Sequence, residues 1–162
     1  PVTVGRASRP MKRAPQTLIG WNELVDLPAW NVKRLRAKVD TGARSSALHV
    51  ADLRVLLDGR VAFEIVLDRK KLHRRRHVIA PVTRVGRVRS STGKYTRRYF
   101  VTTTLRLGPV EKTIELSLVD REEMLFRMLL GRTALSGDFV IDPARRRLAT
   151  TPKPTGKKRA LQ

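Results

Sequence analysis

An Asp-Gly pair, Asp58-Gly59, separates two runs with strand character, residues 53–57 and 61–67. Asp-Gly between such runs is the strongest short-range hairpin signal, because a tight hairpin turn needs positive φ and glycine adopts it without a steric penalty. The same alternation of strand and turn continues along the chain. Strand-like runs occupy 17–21, 32–39, 82–88, 95–105, 139–141 and 147–149, with turn residues between them. Ile114, Leu116 and Leu118 alternate with Glu115, Ser117 and Val119, the period-2 pattern of a half-buried strand. Residues 26–28 read as a turn, 121–127 as a helical turn, and 133–135 as the start of a short helix closed by Gly137. Many short strands with little helix predict an all-β chain folded as a closed or sandwich-like barrel.

The 162 residues, 41% of them apolar, suffice for one domain with a real core. Residues 1–16 and 151–162 are polar, basic and interrupted by prolines, which predicts a disordered lead-in and a disordered tail around a domain at 17–150. The net charge is +21, so the chain attracts polyanions: nucleic acid, an anionic membrane or an acidic polypeptide. Without cysteine it has neither a disulfide framework nor thiol chemistry. No apolar run approaches the length that spans a bilayer, and no hydrophobic leader is visible, so a cytoplasmic location is the expectation. The basic run 69–77 reads as a solvated loop or as a polyanion contact.

One stretch carries chemistry. Lys38-Val39-Asp40-Thr41-Gly42-Ala43-Arg44 sets a carboxylate at the end of a strand whose one face is Leu35, Ala37 and Val39. Gly42 and Ala43 leave room for another backbone to approach. Asp opening a turn with Gly is also ordinary loop chemistry. Far downstream, Leu129-Leu130-Gly131-Arg132 follows two bulky residues with Gly-Arg. Together these stretches resemble the retropepsin-like aspartic proteases. Residues 39–49, with Asp120-Arg121 and the Gly-Arg strand, are similar to the bacterial and archaeal family that carries the name ATP-dependent zinc protease. The resemblance spans about 18–148. It implies a retropepsin-like closed barrel with a flap hairpin and one short helix. The flap would be the hairpin around Ser90, Ser91, Thr92 and Gly93.

Amide hydrolysis by carboxylates needs one ionised group to take a proton from water and one protonated group to polarise the carbonyl. Two carboxyls about 3 Å apart share one proton and titrate as a unit. The chain has a single Asp-Thr-Gly; its other aspartates lack the pattern. A catalytic Asp40 therefore predicts a homodimer with the site on its two-fold axis. The resemblance implies that Thr41 hydrogen-bonds across that dimer and that Gly42 lets the two turns meet, with Ala43 completing the motif.

Arg44 departs from the viral enzymes, which have an acid there to pair with the arginine corresponding to Arg132. Two guanidiniums without an acid predict a cleft that takes carboxylates, with Arg44 and Arg132 as substrate-binding residues; the resemblance to the flap implies that Ser90, Ser91 and Gly93 also meet substrate. The family is associated with a ligase that adds glutamates to a ribosomal protein's tail, so the resemblance implies an acidic, α-glutamyl substrate and possible ribosome association. No metal or cofactor is expected. His49, His73 and His77 are too few for zinc without cysteine, and His73 and His77 enclose three arginines instead of a metalloprotease glutamate. Gly86 to Gly93-Lys94 has six residues between its glycines where a phosphate loop needs four. The competing reading is a non-enzymatic nucleic-acid or ribosome-binding protein, favoured by the charge and disfavoured by the 5% aromatic content.

Overall fold

A strand of three residues closes the barrel. The computed structural model of the chain describes residues 14–89 and 92–150. The expected lead-in up to residue 13, the expected tail from 151, and Ser90 and Ser91 lie outside the described residues. In chain order the strands are β1 (Thr17–Gly20), β2 (Asn22–Leu27), β3 (Val32–Val39), β4 (Ser46–Val55), β5 (Arg60–Val66), β6 (Arg75–Pro81) and β7 (Arg84–Arg89). They continue with β8 (Tyr95–Leu107), β9 (Val110–Val119), β10 (Met128–Leu130) and β11 (Phe139–Asp142), and the single α-helix of the described residues, α1 (Arg132–Leu135), precedes the last. Pairing runs β10-β3-β2-β8-β9-β4, and β10 returns to pair with β4. Six strands thus form a closed all-β barrel with one short helix, the retropepsin-like architecture expected. β10 lies parallel to β3, Leu130 opposite Val39, and antiparallel to β4, Met128 opposite Leu48.

Closure removes the unpaired edges that a six-stranded open sheet would expose. Met128 and Leu130 are fully buried, as are Leu35, Leu48, Leu105, Leu116 and Phe63. Each such side chain contributes on the order of 1.5–3 kcal/mol of burial. Outside the ring, β5 and β6 extend the sheet from β4, β7 pairs with β8, and β1 pairs in parallel with β11. The Asp58-Gly59 hairpin forms as read, with Gly59 at φ 82 and the Arg60 amide donating to Asp58 Oδ1 at 3.1 Å.

Several local expectations change. The run 17–21 breaks at Trp21, and β2 follows at once, so Asp26 lies in a strand and the reversal is a 3-10 turn at Pro28–Trp30. Gly20 is where the chain meets the 145–146 backbone: a Cβ there would lie 2.5 Å from Arg145 O. β4 begins at Ser46, seven residues before the expected run. A bulge between Ala51 and Arg54, with Asp52 at φ 52, breaks its alternation. Residues 121–127 are not helical. The Arg121 amide donates to His49 Nδ1 at 3.0 Å and the His49 amide to Arg127 O at 2.8 Å, so both ends of this loop are tied to β4.

Residues 147–149 form no strand: the Arg147 amide donates to Asn22 O at 2.9 Å, and a side chain takes the donors that follow. The buried Glu23 carboxylate accepts the amides of Leu148 (2.8 Å), Ala149 (3.1 Å) and Thr150 (3.0 Å), and that of Gly20 (2.9 Å). The basic run 69–77 is loop only to Arg74; from Arg75 it continues as β6. No helix of the described residues is long and apolar enough to cross a membrane.

Candidate active site

Strand β3 ends at Val39, and the next amide, that of Asp40, still donates to Leu130 O at 2.9 Å, at the end of β10. The chain then turns. Ala43 N–H donates to Asp40 O at 3.2 Å, and Gly42 N–H donates to Asp40 Oδ1 at 3.1 Å. Asp40 therefore shapes its own turn, as Asp before Gly ordinarily does. Its carboxylate is half-buried, with Thr41 and Gly42 exposed beside it.

The downstream Gly-Arg stretch holds this turn from below. Arg132 N–H donates to Ala43 O at 2.9 Å and Thr133 N–H to Arg44 O at 3.1 Å. Gly131 N–H donates to Ser46 Oγ at 3.0 Å. Gly131 is required by the approach itself: a Cβ would sit 2.5 Å from the Ser45 carbonyl. The Arg132 guanidinium, read from sequence as substrate-binding, donates through Nη1 to the Thr41 and Gly42 carbonyls at 3.0 and 3.1 Å. Two stretches some ninety residues apart thus fix one acid-bearing turn, the preorganisation a catalytic group needs.

The β7–β8 hairpin and the turn line one cavity of about 450 Å³, in which Gly42, Ala43 and Arg44 face Val88 and Phe100. Arg44, Arg89, Arg98 and Arg121 line it, and no acid does. Arg98 is half-buried; burial first, then the Arg121 charge, pulls its pKa below the ordinary arginine value. Guanidiniums keep their charge at neutral pH, so Arg44, Arg89 and Arg98 repel one another, while Arg121 already meets Glu123 at 3.5 Å. Among the described residues no ion pair engages Arg44, Arg89 or Arg98. An adjoining cavity of about 680 Å³ adds Arg84 and Arg87. Its one acid, Glu115, is held by Arg84 at 2.9 and 2.7 Å.

Arg89, Arg98 and Arg121 were not legible as site residues. The flap hairpin itself is legible in the sequence; the signal for its arginines is the cross-strand pairing, in which Arg87 stands opposite Arg97 although like charges placed so destabilise a sheet. Gly93, at φ 83, lies near the hairpin tip.

The histidines do not fit a zinc site. His49 is buried with Nδ1 engaged by the Arg121 amide, while His73 and His77 are exposed among arginines. Burial, then the Arg127 charge, holds the His49 pKa below its ordinary 6.5.

Comparison with known proteins settles the lineage. The family model described as retropepsin-like aspartic endopeptidase RimB matches residues 18–152. The chain belongs to this RimB-like family. A protein of Shewanella pealeana named probable alpha-L-glutamate ligase is 33% identical over 132 residues, covering 78% of this chain. Its counterpart in Desulfotalea psychrophila, of the same name, is 34% identical over 133 residues. The chain spans only 28% of the length of these curated relatives. Among solved structures, a protein of unknown function from Legionella pneumophila superposes with a TM-score of 0.68 at 26% identity, over 83% of this chain and 99% of that one.

Proposed function

We propose that this RimB-like protein is a homodimeric aspartic endopeptidase that cleaves acidic, α-glutamyl peptide chains. The observation that carries the substrate class is the cavity beside the Asp40 turn, lined by four arginines and no acid. Relatives that contain this segment and are named probable alpha-L-glutamate ligases direct the reading to the same polymer. The proposal includes a cytoplasmic setting.

In this mechanism Asp40 of each copy contributes one carboxyl and the pair holds one proton. The ionised carboxylate takes a proton from water as the water oxygen attacks the scissile carbonyl carbon. The protonated carboxyl donates to the carbonyl oxygen, giving a neutral gem-diol. Its collapse breaks the C–N bond: the protonated carboxyl gives its proton to the amine nitrogen, the ionised one takes a proton from a gem-diol hydroxyl, and the dyad again holds one proton. Arg44, with Arg89 and Arg98 above it, would hold glutamyl carboxylates on either side of the bond. Arg132 would keep the turn in register through the Thr41 and Gly42 carbonyls, and Gly42 would let two turns approach.

The deciding experiment combines chromatography of oligo-α-glutamate products with sedimentation of the same sample. Dimeric wild type should cleave, and dimeric Asp40→Asn should not. Cleavage unaffected by Asp40→Asn, or a strictly monomeric active protein, would overturn the reading. A non-enzymatic nucleic-acid binder would show no cleavage by either protein.

A further inference from the structure

A second concentration of positive charge lies away from the Asp40 turn. A cavity of about 710 Å³ is lined by eight lysines and arginines and one acid, Asp68, and shares no residue with the arginine-lined cleft. Strand β3 supplies Lys33, Arg34 and Arg36, the β5–β6 loop supplies Arg69 and Arg74, and Arg127 enters just before β10. The one acid is turned to the backbone: Asp68 Oδ1 accepts the amides of Lys70 at 2.8 Å and Lys71 at 3.2 Å.

Arg127 is the decisive member. It is 3% exposed, and its Nε is buried without a hydrogen-bond partner. Among the described residues its guanidinium closes no ion pair. Burial is the main influence on its pKa and the Arg69 charge the next, both lowering it; Asp68 and Glu122 are smaller influences that raise it. A buried guanidinium facing a like charge is costly unless an anion completes it. The backbone adds a second sign. Arg34 holds φ 56 where the β2–β3 ladder shifts register, and Asp26 Oδ1 fixes its amide at 2.8 Å. A non-glycine residue held in that region projects its side chain at an energetic penalty the surroundings must sustain.

We propose that this cavity is a binding site for clustered phosphates, separate from the peptidase cleft. The charge density selects phosphate over carboxylate. Bringing four charges on a glutamyl chain takes about four residues and roughly 13 Å of extended backbone, whereas linked phosphates carry them within a few bonds. The lining has no aromatic side chain on which a base could stack, so the phosphates are what is read. A recessed arginine suits a compact oligophosphate that enters the cavity rather than a backbone passing across its mouth.

The test is calorimetry of the full chain with inorganic tripolyphosphate at physiological ionic strength, beside a single-stranded RNA homopolymer and hexa-α-glutamate. Saturable tripolyphosphate binding, tighter per phosphate than RNA, is expected. Arg127→Met should weaken it by about tenfold or more, and so should Arg69→Ala, an exposed change that leaves the core alone. Asp40→Asn should leave it unchanged, so this result stands or falls apart from the peptidase assay. Absence of saturable binding would overturn the proposal. So would preferential binding of RNA or hexaglutamate, or a dependence on Arg44 and Arg98 with none on Arg69.

Discussion

Arg132 donates through Nη1 to the carbonyl of Thr41 at 3.0 Å, across 91 residues of sequence. The same nitrogen reaches the Gly42 carbonyl. Because both acceptors are backbone atoms of the acid-bearing turn, the arginine acts on Asp40 through its position. Arg132→Met should lower kcat on oligo-α-glutamate about tenfold, with stability changed by less than about 1 kcal/mol because the side chain is exposed. Unchanged kcat in a folded variant would remove the bracing role.

Asp40→Asn retains an oxygen able to accept the Gly42 amide, so the turn should keep its shape. Peptidase activity should fall by at least about 10³-fold, the scale of losing an acid–base group. Melting temperature and sedimentation should match wild type. A loss of activity accompanied by unfolding would indicate that the carboxylate is structural.

Gly131→Ala tests the close approach directly. A methyl group 2.5 Å from the Ser45 carbonyl meets backbone, not a side chain that can swing away. The expected destabilisation is about 2–4 kcal/mol by denaturant titration, with activity lost even where the variant is folded. An alanine variant of wild-type stability and activity would contradict the packing described.

Glu23→Gln should destabilise the fold by about 2–4 kcal/mol, because its amide nitrogen would confront part-buried amides that now donate to a carboxylate. Amide exchange should rise first at Leu148, Ala149 and Thr150. Exchange rates there equal to wild type would show the clamp to be dispensable.

His49 makes the fold sensitive to mild acid. Its folded pKa is held below 6.5 by burial and then by Arg127, so the folded chain binds that proton more weakly than the unfolded one. The stability this contributes is complete above the unfolded value and is lost as pH falls through the depressed folded value. Urea midpoints should therefore drop between about pH 7.5 and about pH 5.5, and His49→Gln should flatten the profile. Asp58, Asp68 and Glu123, whose pKa values are lowered by backbone amides, remain ionised across this window. A flat wild-type profile would refute the assignment.

The parts legible from sequence are those set by local chemistry. Asp58-Gly59 specified its hairpin, and residues 114–118 showed the alternation of β9. The Asp40 turn and its Gly-Arg support were visible because each is a compact run of constrained residues. Tertiary convergence was not visible. Arg89, Arg98 and Arg121 come from three places along the chain and meet only in the fold. Strand β4 was read from residue 53 because the bulge at Asp52 interrupts its period. Nothing near Glu23 in sequence marks the amides that donate to it from 125 to 127 residues away.

The three residues of β10 are also a timer. They join β3 to β4 from a position some ninety residues later in the chain, so a polypeptide still being synthesised carries Asp40 on an unclosed sheet until residue 130 has emerged. Contacts of such long range form late and slowly. Asp40 therefore acquires its bracing from Arg132 only after the chain has grown some ninety residues past the turn.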